Sequence, residues 1–210
     1  MIMKKITATV TLLFAISGIA NVGATPPVNV NIYSGHSTTG GGTPYSNLVG
    51  SLKSTGVNFA TSTSYNWHPF GLSDFGANIT GLLQIPSDGT YAFTLNSDDG
   101  SLLYIDGVEV VDNGGPHSPT AVTGSAPLTA GTHTFAVKFF EAFGGPSGVD
   151  LTIPTGVTYG FAGKPANANC HGKSVSELAK QFGGIAVASS VLGFTSVEAL
   201  QDAIKAFCEG

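Results

Sequence analysis

Hydrophobic and polar residues alternate through the middle of the chain, with the period of strands. Val28, Val30 and Ile32 alternate with Asn29, Asn31 and Tyr33, which predicts a half-buried strand. The Gly-, Thr- and Ser-rich stretch Ser37–Thr43 predicts a loop. Ile79–Ile85 is a second strand, stopped by the turn sequence Pro86-Ser87-Asp88-Gly89. Tyr91, Phe93 and Leu95 then share one face, and Ala92, Thr94 and Asn96 the other. Leu103 and Ile105 run into Asp106-Gly107, a hairpin signal, and Val108–Val111 returns. The longest alternation follows Ala130-Gly131. In it His133, Phe135, Val137 and Phe139 oppose Thr134, Ala136, Lys138 and Phe140. Val149, Leu151 and Ile153 close the series. About eight short strands at this spacing predict an all-β body over residues 25–160, an antiparallel two-sheet β-sandwich.

The period changes after Gly163. Residues 161–169 read as a linker, polar from Lys164 to Asn169, and 170–210 as a short helical tail. Val175, Leu178, Ala179 and Phe182 fall at helical spacing, as do Val197, Leu200, Ile204 and Phe207. Ser174-x-x-Glu177 and Thr195-x-x-Glu198 fit the capping box and predict two helix starts. Gly183-Gly184 and Gly193 divide the segment into three helices. The chain's two cysteines, Cys170 and Cys208, bracket it. In an oxidising compartment such an isolated pair predicts a disulfide, here closing a piece too small to be stable alone. Cys170-His171 is not a haem attachment, because the other cysteine of that motif is replaced by Asn167.

At the other end, Lys4 and Lys5 precede the apolar run Ile6–Ala20, and Val22-Gly23-Ala24 offers small residues for cleavage. The run falls short of the roughly 20 residues that span a bilayer. Residues 1–24 are therefore expected to be a signal peptide cut near Ala24. The mature protein is expected outside the cytoplasm, extracellular or periplasmic, with no membrane span.

Composition narrows the partners. The 210 residues include 8 basic side chains, all lysine, against 13 acids, a formal charge of −5. A chain without a guanidinium cannot grip phosphates bidentately, and its charge repels a polyanion, so nucleic acid is excluded as a partner. Enzyme templates are absent too. Gly145-Pro146-Ser147-Gly148 has the wrong spacing for a nucleophile elbow, and no H-E-x-x-H or phosphate-binding glycine loop occurs. The five histidines, His36, His68, His117, His133 and His171, stand on separate segments. His133, on the face of Phe135 and Val137, reads as a satisfied core or interface histidine. The chain is expected to be no enzyme.

One segment carries distinctive chemistry: Asn96-Ser97-Asp98-Asp99-Gly100-Ser101. Two adjacent carboxylates at a strand end repel each other unless a cation or water compensates. Hard oxygens suit Ca²⁺, which takes six to eight of them. The spacing does not fit an EF-hand, and an ordinary acidic turn capped by Asp98 explains it equally well. A glycosidase acid and nucleophile drawn from Asp98 or Asp99 with Glu141 is a weaker reading.

The stretch Leu83-Gln-Ile-Pro-Ser-Asp-Gly-Thr-Tyr-Ala-Phe-Thr-Leu-Asn-Ser-Asp-Asp-Gly-Ser-Leu-Leu-Tyr-Ile-Asp-Gly107 resembles the protective-antigen domain family. The likeness continues through Val110–Gly114, Leu128–His133, Lys138–Glu141 and Gly144–Leu151, nearly the whole body in the family's order. The resemblance implies a β-sandwich of the kind found in toxins, glycosidases, flocculins and adhesins. In the lectin members an aspartate pair joined by a cis peptide holds Ca²⁺, and the ion binds vicinal sugar hydroxyls. Asp98 and Asp99 match that pair. The second calcium loop matches Glu141–Ser147, where adhesin members often place an Asn; this chain has Glu141, a candidate third ligand. Trp67 and His68, Asn113 and His117 beside Gly114-Gly115-Pro116, and Phe143 are candidate ligand contacts. For Trp67, packing on the sandwich stands beside stacking on a sugar. For Asn113 and His117, turn stabilisation stands beside a place near the ion.

The function implied is an exported calcium-dependent carbohydrate-binding module, lectin- or adhesin-like, with a glycan or polysaccharide as partner. The alternative is a structural or matrix module in which calcium only stabilises loops and the tail drives assembly. An accessory domain of a hydrolase is a third reading.

Overall fold

The computed structural model describes residues 27–36, 45–59, 67–142 and 144–209. The expected signal peptide, the Ser37–Thr43 loop and Phe143 lie outside the described residues. The body is mostly antiparallel strand in two sheets. The larger sheet holds β1 (Val28–Gly35), β2 (Ser46–Ser54), β4 (Phe75–Ile85), β6 (Ser101–Ile105), β7 (Val108–Asn113), β9 (Gly131–Glu141) and β11 (Thr158–Tyr159). Its strands run β2-β1-β4-β9-β6-β7, with β11 pairing β4. The smaller sheet holds β3 (Asn58–Phe59), β5 (Gly89–Asp98), β8 (Thr120–Leu128) and β10 (Gly148–Thr152), in the order β3-β10-β5-β8.

Side chains at every second position fill the space between the sheets. Val28, Val30 and Ile32 meet Ile79 and Phe139 from the larger sheet and Phe93 and Leu95 from the smaller one. A period of two lets one strand bury one row and solvate the other. β4 and β9 pair without a break from Phe75↔Glu141 to Ile85↔Gly131, so they set the register of the sheet's centre. At the predicted hairpin, Asp106 and Gly107 both take positive φ, as a two-residue turn between Ile105 and Val108 requires. The turn is fastened to β9. Asp106 Oδ2 meets His133 Nδ1 at 2.6 Å, and Oδ1 accepts from Thr134 N at 2.8 Å. His133 also reaches the Thr129 carbonyl, so both its ring nitrogens are engaged. The hydrogen bond to Asp106 raises the His133 pKa against the effect of burial. Burial acts to raise Asp106, but the His133 and Thr134 hydrogen bonds outweigh it and hold that carboxyl low.

Three helices follow: α1 (Cys170–Phe182), α2 (Ile185–Val191) and α3 (Val197–Cys208). Gly183 closes α1 in the left-handed conformation. Both predicted caps shift. Ser174 lies inside α1, buried, and accepts from Gly163 N; α1 instead begins beyond Asn169 with no side-chain cap. The cap of α3 is Ser196, one residue after Thr195, accepting from Ala199 N at 3.0 Å. Cys170 and Cys208 form a disulfide. Leu178, Ala188, Leu200, Ile204 and Phe207 make a second small core that includes Leu82 of the body and Phe161, the first residue of the expected linker. Among the described residues, no helix is long and apolar enough to cross a membrane.

One side chain fastens the tail to the sheet. Gln181 of α1 accepts from Thr132 N at 2.7 Å and donates to Thr132 O at 2.8 Å, pairing the start of β9 as a neighbouring peptide would. Gln181→Glu keeps the acceptor, loses the donor and adds a charge. It is expected to lower unfolding free energy by about 1–3 kcal/mol, read in denaturant melts, with Gln181→Ala losing a similar amount.

Candidate metal centre

β5 and β9 end side by side at one end of the sandwich, one in each sheet, and the candidate carboxylates stand there. After Asp98 the chain must turn at once to begin β6 at Ser101. Gly100 makes this possible. A Cβ there would sit 2.4 Å from the Phe140 ring and 2.7 Å from the Gly115 carbonyl. The bare backbone instead comes close enough for Gly100 O to accept from Phe140 N at 3.0 Å. Beneath the turn, Ser97 and Ser101 share a buried hydroxyl contact of 2.7 Å, and Asn113 donates to Ser97 Oγ and to Thr120 O. The Asp98–Asp99 peptide bond is cis, as the resemblance implies.

Asp98, Asp99 and Glu141 each present a carboxylate oxygen, and these oxygens all lie within 4.8 Å of one another. Ligands at about 2.3–2.6 Å from one Ca²⁺ stand at most about 5 Å apart, so the three fit a single ion. Asp99 and Glu141 are only 7% and 1% exposed. Backbone donors aim them: His117 N to Asp99 Oδ1 at 2.9 Å, Ala142 N to Asp99 Oδ2 at 3.0 Å, and Gly145 N to Glu141 Oε1 at 3.0 Å. Glu141 Oε2 is buried without a hydrogen-bond partner. Among the described residues, no ion pair involves any of the three. A buried carboxylate oxygen without a donor, beside two more carboxylates, lacks a positive charge. A calcium ion fits this donor set.

Without that charge the site resists ionisation. Burial pushes the Glu141 carboxyl up to about 7, the Gly145 and, more weakly, Asp99 backbone N–H groups opposing and the charges of Asp99 and Asp98 adding to the rise. Asp98 is also raised, by burial and then by Asp99, with His117 opposing. The folded state therefore holds the Glu141 proton more tightly than the unfolded chain, whose value is near 4.5. Its contribution to stability is full below pH 4.5 and is lost as pH rises to about 7. Thermal melts in chelator should show that loss, and Glu141→Gln should flatten the slope in this window.

The other candidates lie differently. Trp67 stacks on Phe59 at 4.3 Å and meets Phe75 and Phe139, so its ring is taken up by the sandwich core. His68 is 4% exposed, edge-on to Phe75, and its Nδ1 accepts from Phe70 N. Of the two readings for Trp67, the contacts are those of packing on the sandwich, because the apolar end of the core takes up both rings. Asn113 is buried, its amide spent on Ser97 and Thr120, so it braces the turn from below. His117 touches the site through its backbone N–H, while its ring reaches Ser118 O and Asn113 O. The pattern of acids did not reveal the aiming donors of His117, Ala142 and Gly145, since every residue but proline carries an N–H. The glycine directly after the aspartate pair was the signal available for the tight turn.

A family model described as the PA14 domain matches residues 36–161. No curated protein matches the chain. Among solved structures, it is similar to an anti-sigma factor domain-containing protein, with 16% identity and a TM-score of 0.52. That match covers 63% of this chain and 43% of the other, so the chain spans less than half of that protein. It is also similar to the PA14 domain of the MpAFP antifreeze protein, with 17% identity, a TM-score of 0.49, and 66% and 85% of the two chains covered. A PA14 sugar-binding domain from an RTX adhesin matches at 17% identity, with a TM-score of 0.48, over 65% of this chain and 94% of its own.

Proposed function

Because the chain belongs to the PA14 domain family, we propose that it is an exported calcium-dependent carbohydrate-binding module whose ion is held by Asp98, Asp99 and Glu141. The observation that carries this reading is the meeting of three carboxylates around a buried, unpartnered Glu141 oxygen. Calcium bound there supplies a Lewis-acidic centre whose remaining coordination positions suit the paired hydroxyls of a sugar. Asp99 is oriented by His117 N and Ala142 N and serves as the fixed ligand. Glu141 closes the inner side, and the half-buried Asp98 stands nearest solvent, on the side a glycan would approach.

The depth of the site favours a second reading, a structural or assembly module. With Asp99 and Glu141 this buried, an ion could serve only to brace the loops. A glycan array run in millimolar calcium and again in chelator separates the two. Hits that vanish with chelator are expected. A calcium-raised melting temperature with no glycan hit would replace the first reading by the second, and no calcium response would overturn both.

A further inference from the structure

The outer face of the larger sheet and the helical tail enclose a groove of about 740 Å³, within the range of small-ligand sites. Its floor is one row of side chains across adjacent strands, Lys53, Asn29, Thr80, Ala136 and Tyr104, with Lys138 in the next row of β9. Its wall is carbon: Leu82 of the body and Phe161 just after it, with Leu192, Phe194 and Phe207 of the tail. The floor, unlike the wall, carries charge. Lys53 donates to Asn29 Oδ1, and Lys138 lies over the Tyr104 ring at 5.0 Å. Neither lysine has a carboxylate partner among the described residues, although acids outnumber lysines in the chain. They stand three strand spacings of about 4.8 Å apart and one row out of step, so to meet one head group Lys138 must swing off the Tyr104 ring, which lies on β6, the side away from Lys53.

We propose that this groove binds a free single-chain amphipathic anion of the fatty-acid class. The carboxylate sits on the sheet floor between Lys53 and Lys138, and the alkyl chain lies along Leu192, Phe194 and Phe207. Charge complementarity selects an anion, because the lining carries two ammonium groups and no acid, Glu109 meeting only the Tyr104 hydroxyl at its edge. The aromatic and aliphatic wall selects an alkyl chain, because each buried methylene adds favourable transfer energy. The groove lies on the outer face of the sheet, whereas Glu141 belongs to the inward row of β9, so binding here is independent of calcium.

Calorimetric titration of the disulfide-intact protein with sodium dodecanoate, in chelator, tests this. One site per chain is expected, with decanoate roughly tenfold weaker for its two missing methylenes. Lys138→Gln and Lys53→Gln should each weaken dodecanoate by roughly threefold to tenfold. Ala206→Phe, which fills the groove from α3, should abolish binding while the calcium-dependent melting shift stays intact. Absence of binding would overturn the proposal. So would equal affinity for uncharged dodecyl maltoside, or uptake only onto phosphatidylglycerol vesicles, which would make the face a membrane surface.

Discussion

Asp98→Ala is expected to abolish the calcium-dependent rise in melting temperature while leaving the melt in chelator nearly unchanged. An ion at a hundred times its dissociation constant adds about 2.7 kcal/mol of stability. In a chain of this size that is roughly 5–10 °C. Asp98 is the clean position for the test, because no backbone donor among the described residues binds its carboxylate. Its loss also relieves repulsion toward Asp99 and Glu141, whose oxygens lie within 4.8 Å. Asp99→Ala should behave differently. It too removes the calcium response, but it strands His117 N and Ala142 N, which Asp99 now satisfies. Each buried donor left unpaired costs about 1–3 kcal/mol, so this variant should also melt lower in chelator. If Asp98→Ala loses the same amount with and without calcium, the residue is a turn residue and the metal centre fails.

Removing the disulfide should have the second large effect, confined to one end of the molecule. Cys170 and Cys208 are 38 residues apart in sequence. The chain-entropy model gives such a bridge about 4 kcal/mol. Beyond the bridge the tail relies on a small local core of eight buried residues, two of them outside its helices, and on the Gln181 bonds to Thr132. The double variant Cys170→Ser/Cys208→Ser should therefore lose amide protection throughout α1, α2 and α3 under native conditions. The β4–β9 pairing, whose core lies between the sheets, should keep its protection. Equal loss in tail and sheet would show that the tail holds up the sandwich rather than riding on it.

The parts of this fold that the sequence announced are those with one clearly buried face. Val28–Ile32, Tyr91–Leu95 and His133–Phe139 alternate in sequence and alternate in burial. β2 was illegible for the opposite reason. It is an edge strand, most of its side chains are exposed, and Leu48 and Val49 face solvent as adjacent residues, so no period of two survives. β8 likewise buries only Ala126. Ser174 failed as a helix start because the same hydroxyl serves a different need, capping the Gly163 N–H from within α1. In the candidate site, the acids were visible from their adjacency and from the family resemblance. For Trp67 packing and stacking stood side by side, because a lone aromatic in a Pro- and Gly-bearing loop has no period to show which side it faces.

The turn after Asp98 carries the chain from β5 of the four-stranded sheet into β6 of the larger one, and Glu141 ends β9 beside it, so an ion held by the three carboxylates would pin this crossing to β9 at a single end of the sandwich. The hydrogen bond from Phe140 N to Gly100 O extends the β6–β9 ladder of the larger sheet by one position and so fastens the turn to β9. Under tension, links that cross a plane side by side share the load, and the plane yields only when they fail together. With calcium in place, peeling the turn away from β9 would mean stripping charged ligands from the ion along with breaking the hydrogen bond. Withdrawal of calcium leaves the hydrogen bond with repelling acids beside it. The same three carboxylates would then make the module's mechanical strength, at that end alone, a property of the medium around it.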